Sequence, residues 1–229
     1  MIVMGVKERR EREKSETRDK ILDAARELFV TEGYEGVSMR RVADKIEYSP
    51  TAIYVHFADK QELFRELCHR DYARLAEALQ SSVTTADPIE RLRQIGAIYV
   101  EFGTHYPNHY KFMFMTPHPG QEMDEIDRDM HRNPEKDAYA FLKWAIRQAI
   151  DARRFRDGIE DPELISQTLW AAVHGVISLQ IAKGCDAWVE WRPMQDRAAM
   201  MLDITLRGLL RTGEESASPM MRSVKRRRK

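Results

Sequence analysis

Cysteine is scarce: 229 residues contain only Cys68 and Cys185. This excludes a disulfide framework and fits a reducing, cytoplasmic setting. Both thiols fall in apolar helical patterns, which predicts two small core residues. Long hydrophobic runs are missing too, and no run of about 18 apolar residues predicts a membrane span. The opening MIVMGVKERRERE has too short an apolar part for a signal peptide, and charges follow at once. Net charge is absent, because 37 Lys+Arg balance 37 Asp+Glu. Any basic surface must therefore arise from the position of cations, not from their excess. The chain has no Gly-x-Ser-x-Gly and no Gly-rich phosphate loop, which argues against nucleophilic or phosphate-loop catalysis. No period-two strand pattern appears either.

What remains is helical punctuation. Asp87-Pro88, Asn133-Pro134 and Asp161-Pro162 open helices, Pro193 opens another, and Gly33, Gly158, Gly184 and Gly213 close or follow them. The fold class is all-α: a small N-terminal three-helix head, a long helix from Asp59 to about Val83, and a larger helical body. Composition sets off a charged arm (1–16) and a basic tail (213–229) ending in KRRRK; between them are a head (17–64) and a body (65–212), a boundary that follows from the resemblance given below. The arm reads as a frayed, solvated extension or helix start, or as a flexible arm whose arginines reach phosphate or the minor groove. The residue 133 helix is expected to end near Phe155.

The stretch SMRRVADKIEYSPTAIYVHFADK, residues 38–60, reads as two short helices around a turn at Glu47-Tyr48. Ser38 and Ser49 are candidate caps, and Pro50 suits a first helical position. At about 100° per residue, Ile53 and Phe57 share the face that packs on Val42 and Ile46, while Thr51 and Val55 point away. Tyr54 and His56 flank them. A short helix presenting a hydroxyl, a methyl surface, a phenol and an imidazole suits base edges and phosphates. Arg18, Arg40, Arg41 and Lys60 stand at helix starts, where a cation can meet a phosphate.

Residues 17–64 resemble the DNA-binding domain of the tetracycline-repressor (TetR) family. The resemblance rests on Thr17-Arg18, Ile21-Leu22, Ala24-Ala25, Leu28-Phe29, Gly33-Tyr34, Ser38, Val42-Ala43, Ser49-Pro50, Ile53-Tyr54-Val55-His56-Phe57, Lys60 and Leu63-Phe64. It implies operator DNA as partner and a contact set of Thr17, Arg18, Ser38, Arg40, Arg41, Ser49, Pro50, Thr51, Ala52, Tyr54, Val55, His56 and Lys60.

The body resembles that family's ligand-binding and dimerisation domain. Tyr106-Pro107, Tyr110-x-Phe112-Met113-Phe114 and Trp170 with His174-Gly175 look like the type named for a Trp-His-Gly signature. The resemblance implies a repressor released by a small apolar or aromatic molecule, with no cofactor. Phe102, Tyr106, Tyr110, Phe114, Phe141, Trp144, Trp170 and His174 are its candidate contacts. Small residues in the last two helices (Ala171, Ala172, Gly175, Ala198, Ala199, Gly208) suit a four-helix interface with a second copy. The alternative is an all-α metal protein or enzyme using His105, His109, His118 and His174. Pro107 counts against it, because it falls between His105 and His109.

Overall fold

The computed structural model describes residues 5–119, 128–129 and 131–211. The tail at 213–229 and most of the acidic 121–132 segment lie outside the described residues. Among the described residues are nine helices: α1 Val6–Gly36, α2 Met39–Lys45, α3 Pro50–Tyr54, α4 Lys60–Ser82, α5 Pro88–His105, α6 Pro107–Met115, α7 Ala138–Asp151, α8 Pro162–Lys183 and α9 Met194–Leu209. The one extended feature among these residues is a single antiparallel bridge, Phe155 with Leu210.

The helix starts follow from local chemistry. Ser38 Oγ accepts the Arg41 amide at 3.3 Å, and Ser49 Oγ accepts the Ala52 amide at 3.2 Å. Asp87 and Asp161 each accept two amides of the first turn that follows. Side-chain oxygens thus satisfy donors that the helices cannot. Three boundaries differ from expectation. Residues 6–16 continue α1. Asn133-Pro134-Glu135 forms a turn held by Asn133 Oδ1, and Asp137 is the cap that starts α7. α7 also stops at Asp151, leaving Phe155 buried in the bridge beyond it.

The chain divides into two compact units. The first comprises Met1–Arg74 and Tyr106–Met123. Gly33, at φ 71°, breaks α1 in a conformation that side-chain-bearing residues avoid. The break turns Tyr34 back to stack on Phe29. Phe29, Phe64 and Phe112 then meet with ring centroids 5.0–6.1 Å apart, so α1, α4 and α6 share one aromatic core. This is why α6 belongs to the compact unit of the head and not to the body, where its position in the sequence put it.

Under that core lies a buried ion pair. Arg26 and Asp71 are 6% and 2% exposed. Arg26 grips Asp71 with two parallel bonds, Nε to Oδ2 at 2.7 Å and Nη2 to Oδ1 at 2.8 Å. Arg18–Glu66 and Arg70–Asp19 tie the same two helices nearer the surface.

The second unit comprises Leu75–His105 and Asp124–Lys229, and in it α5, α7, α8 and α9 pack on one another. The approach of α5 to α9 is set by Gly96, where an added Cβ would stand 2.4 Å from Leu202 Cδ2. α8 is long and apolar enough, by length and composition, to cross a membrane, against expectation; 33% of its most apolar window is buried in the structure. Core helices of soluble proteins share that composition.

Removing one partner of a buried ion pair strands the other. Asp71→Ala is expected to lower the free energy of unfolding by about 3–5 kcal/mol, read from the urea midpoint. The double change Arg26→Met with Asp71→Leu should recover most of that loss. If the double variant were as unstable as the single, packing rather than stranded charge would be the cause.

Candidate nucleic-acid interface and ligand core

α3 is five residues long and cannot hold itself together. Three contacts fix it. Ile53 and Phe57 are 0% and 1% exposed in the head's core. Glu47, at φ 60°, makes the turn before it, and the Tyr48 amide bonds the Ala43 carbonyl at 3.0 Å. Arg18 Nη1 donates to the His56 carbonyl at 2.8 Å and lies over the Phe57 ring at 4.2 Å. The far side of α3 is left bare: Tyr54 is 54% and Val55 69% exposed, and Thr51 is exposed beside them. The structure thus puts Ser49, Pro50, Thr51, Tyr54 and Val55 on an accessible surface, with Ala52 half-buried at its edge.

Several expected phosphate contacts are engaged inside the protein. Lys60 Nζ donates to the Tyr34 carbonyl at 2.9 Å and sits 4.1 Å from the centre of that ring. Arg18 also pairs with Glu66 at 3.5 Å, and Arg41 pairs with Glu32 at 2.6 Å. Thr17 donates to the Glu13 carbonyl, and Ser38 is occupied as a cap. Arg40 is the most available of the four expected cations, 82% exposed and 4.0 Å from Asp44. His56 is half-buried and its Nδ1 is shut away without a partner. Burial holds its imidazole below the ordinary value, and the charges of Lys14 and Arg18 add to this.

Sequence reasoning missed Tyr48, which was assigned only to the turn. It is 37% exposed, immediately before the Ser49 cap. The available signal was an aromatic residue at a turn whose core positions were already filled.

The candidate ligand contacts fall in both units. In the first, Tyr106 stands at the cap of α6, which carries Tyr110 and Phe114. Tyr110 is fully buried and packs on Phe114 at 4.9 Å, while Arg74 lies over Tyr106 at 4.0 Å. Tyr72 donates its hydroxyl to the Met113 carbonyl at 2.9 Å. In the second unit Phe102 is 3% exposed. Phe141 stacks on Trp144 at 5.4 Å, with Arg91 over Trp144 at 4.8 Å. Trp170 and His174, one helical turn apart on α8, are joined through Tyr99. Trp170 Nε1 donates to the Tyr99 oxygen at 2.9 Å, and that oxygen lies 3.5 Å from His174 Nδ1. Tyr99 was not among the expected contacts. Tyr139 bonds Glu163 beside Trp170, and burial, with this pairing added, pushes its phenol up to about 12.

The four histidines of the metal alternative have separate surroundings. His105 bonds the Glu101 carbonyl, His109 lies 3.9 Å from Asp71, His118 bonds the Phe112 carbonyl, and His174 meets Tyr99. Among the described residues no three His, Cys, Asp or Glu side chains are grouped to hold a metal ion. Cys68 is half-buried, and desolvation pushes its thiol up to about 12. Cys185 is exposed, which corrects the expectation of a core thiol. It lies past the end of α8, where the apolar pattern no longer continues as helix.

Known proteins resemble both parts of the chain. Residues 21–67 match the family described as bacterial regulatory proteins, tetR family. Residues 92–218 match tetracyclin repressor-like, C-terminal domain. The HTH-type transcriptional repressor AcnR of Corynebacterium diphtheriae is 43% identical over 67 residues, 29% of this chain and 35% of AcnR. The HTH-type transcriptional activator FasR of Mycolicibacterium smegmatis is 31% identical over 102 residues, 44% of this chain and 47% of FasR. The chain thus spans about a third to a half of these relatives. The SmeT–triclosan complex covers 86% of this chain and 93% of its own, with a TM-score of 0.62 and 21% identity, a likeness of fold.

His56, His109 and His174 all have burial as the largest cause of a lowered pKa. The unfolded chain therefore takes up protons near 6.5, before the folded chain does. Stability should be full above that value and fall as the pH drops through the folded values. The urea midpoint is expected to decrease between pH 7.5 and 5.5, and His109→Gln should flatten part of the slope. A flat wild-type profile would contradict the assignment.

Proposed function

Because the chain belongs to the TetR family of bacterial regulatory proteins, not to a family of enzymes, we propose that it is a cytoplasmic repressor. On this reading it binds a palindromic operator as a homodimer and leaves it when a small apolar or aromatic molecule binds the body. The observation that carries the reading is the bare side of α3, where Thr51, Tyr54 and Val55 stand opposite a fully buried Ile53. An exposed tyrosine and valine at the end of a five-residue helix are otherwise a cost to solubility. Thr51 and Val55 suit a base edge and a thymine methyl, and Tyr54 and Arg40 suit phosphates. Arg18, Arg41 and Lys60 are engaged within the protein, and on this reading discrimination rests on the uncharged Thr51 and Val55 that suit base edges.

Two helices support the homodimer. α8 and α9 leave Leu164 (63%), Leu179 (53%), Met200 (64%) and Ile204 (62%) exposed. A Cβ added at Gly175 or Gly208 would meet nothing within 4 Å, which leaves room for a second helix to come close. A twofold dimer presents two reading helices, and two half-sites discriminate where one does not. The effector reading rests on Phe141, Trp144, Trp170 and His174, all half-buried or exposed in the second unit. The Trp170–Tyr99–His174 chain of bonds is compatible with the Trp-His-Gly subgroup.

Selection of random duplex DNA on the purified protein, at defined salt, tests the reading. A short palindrome should be enriched; no enrichment at any salt, from protein unfolded and refolded to strip bound molecules, would overturn it. On the selected duplex, Thr51→Ala is expected to relax preference at one base pair by about 1–3 kcal/mol. An unchanged preference profile removes Thr51 from the reading set. Ile204→Glu should convert the dimer to a monomer in sedimentation velocity, and a dimer that persisted would place the interface elsewhere.

A further inference from the structure

Residues 6–20 of α1 precede the matched family segment at 21–67, and the charges of its first turns are sorted by face. Arg9 bonds Glu13 at 2.8 Å, and Arg12 pairs with Glu16 at 3.5 Å. Glu8 turns back to the Gly5 amide at 3.0 Å. Lys7, Arg10 and Lys14 are exposed and have no ion-pair partner among the described residues. They stand at positions i, i+3 and i+7, so they share one face of the helix. Arg18 continues that face at i+11, and Glu11 lies at its margin.

That face leads to the reading helix. Arg18 Nη1 bonds the His56 carbonyl just past α3, and the Lys14 charge is close enough to depress the His56 imidazole. From Lys14 the unpaired cations run outward for about 10 Å, at ~1.5 Å of rise per residue. Measured along the duplex axis, one strand carries about three phosphates over that distance, at ~3.4 Å of axis each. A row of cations without ion-pair partners, starting where a helix shaped to read bases ends, complements a phosphate row in charge.

We infer that the N-terminal turns of α1 form a second DNA-contacting surface, in which Lys7, Arg10 and Lys14 bind phosphates of duplex DNA just outside the bases read by α3. The inference rests on the regulator reading above. The surface carries no sequence preference of its own, since phosphates are alike at every base pair. It supplies the affinity that the engaged Arg18, Arg41 and Lys60 do not.

The test is the salt dependence of binding by the full chain to the selected duplex. Each phosphate neutralised contributes about 0.9 to the slope of log K against log salt. The triple variant Lys7→Gln, Arg10→Gln, Lys14→Gln should lower the slope by about 2.7 per protomer, or about 5 for a dimer, with the ratio of operator to random-duplex affinity retained. Glutamine keeps helix propensity, and far-UV circular dichroism checks that the helix persists. The control Arg9→Gln, Arg12→Gln removes cations already paired with glutamate and should leave the slope near that of wild type. A second arm needs no variant: trimming the base pairs flanking the palindrome should bring the wild-type slope down to that of the triple variant. An unchanged slope in the triple variant, an equal loss in the control, or no effect of trimming overturns the inference. Failure of the wild type to bind any duplex would instead be failure of the regulator reading itself.

Discussion

The fold of the head depends on one buried ion pair. Arg26 and Asp71 join α1 to α4 with two short parallel bonds at positions almost closed to solvent. Removing two charges from water costs several kcal/mol per ion, and good geometry repays this without a large surplus. The pair therefore contributes little net stability and a great deal of register. Any slide of α1 along α4 would strand both charges. The aromatic core of Phe29, Phe64 and Phe112 tolerates small shifts, whereas the bidentate grip does not. α3 packs on α2, α2 packs on α1, and Arg18 of α1 bonds the His56 carbonyl just past α3, so the way α3 is presented depends on where α1 is held.

The same logic explains where the head's cations go. On the proposed reading, a chain with no excess of Lys and Arg that meets DNA must divide them between holding α3 and touching phosphate. Arg18 closes the end of α3 and lies over Phe57. Lys60 lies over Tyr34 and bonds its carbonyl, next to the Gly33 break. A hydrogen bond from a charged donor contributes about 1.5–3 kcal/mol, enough to matter for a helix of five residues. Each of these cations holds the shape of the surface and is correspondingly less able to reach out from it.

Much of this was legible in the sequence because the signals are local. Ser38, Ser49, Asp87 and Asp161 each cap a helix within three residues of themselves, and the Ile53/Phe57 spacing fixes which side of α3 is buried. What was not legible depends on distance or on ambiguity. Arg26 and Asp71 are 45 positions apart, and nothing near either residue names the other. Pro107 ends α5 and also starts α6; a proline does both equally well, so the helix after it was not recognised. Asn133-Pro134-Glu135 has the form of a helix start, but Asn133 bonds the Glu135 amide and closes a turn, leaving Asp137 to cap α7. The resemblance that named the head's contact set could not tell which cations the fold had already engaged.

The candidate effector contacts differ in what they could give a ligand. Phe102 and Tyr110, 3% and 0% exposed, already have their apolar surface removed from water by the protein itself. A ligand touching them gains little further burial, so substitutions there act first through cavity formation. Phe141 and Trp144 are half-buried and keep apolar area to contribute, at about 25 cal/mol per Å². Trp170 and His174 are polar at their tips, but Tyr99 takes up the Trp170 donor and faces the His174 nitrogen. A ligand that competes for those atoms exchanges one hydrogen bond for another and gains about nothing from the exchange. On the effector reading proposed above, affinity in this unit must therefore come from apolar area over Phe141 and Trp144. The Tyr99 relay fixes the shape a ligand has to fit, and polar additions to a ligand should sharpen selectivity more than they tighten binding.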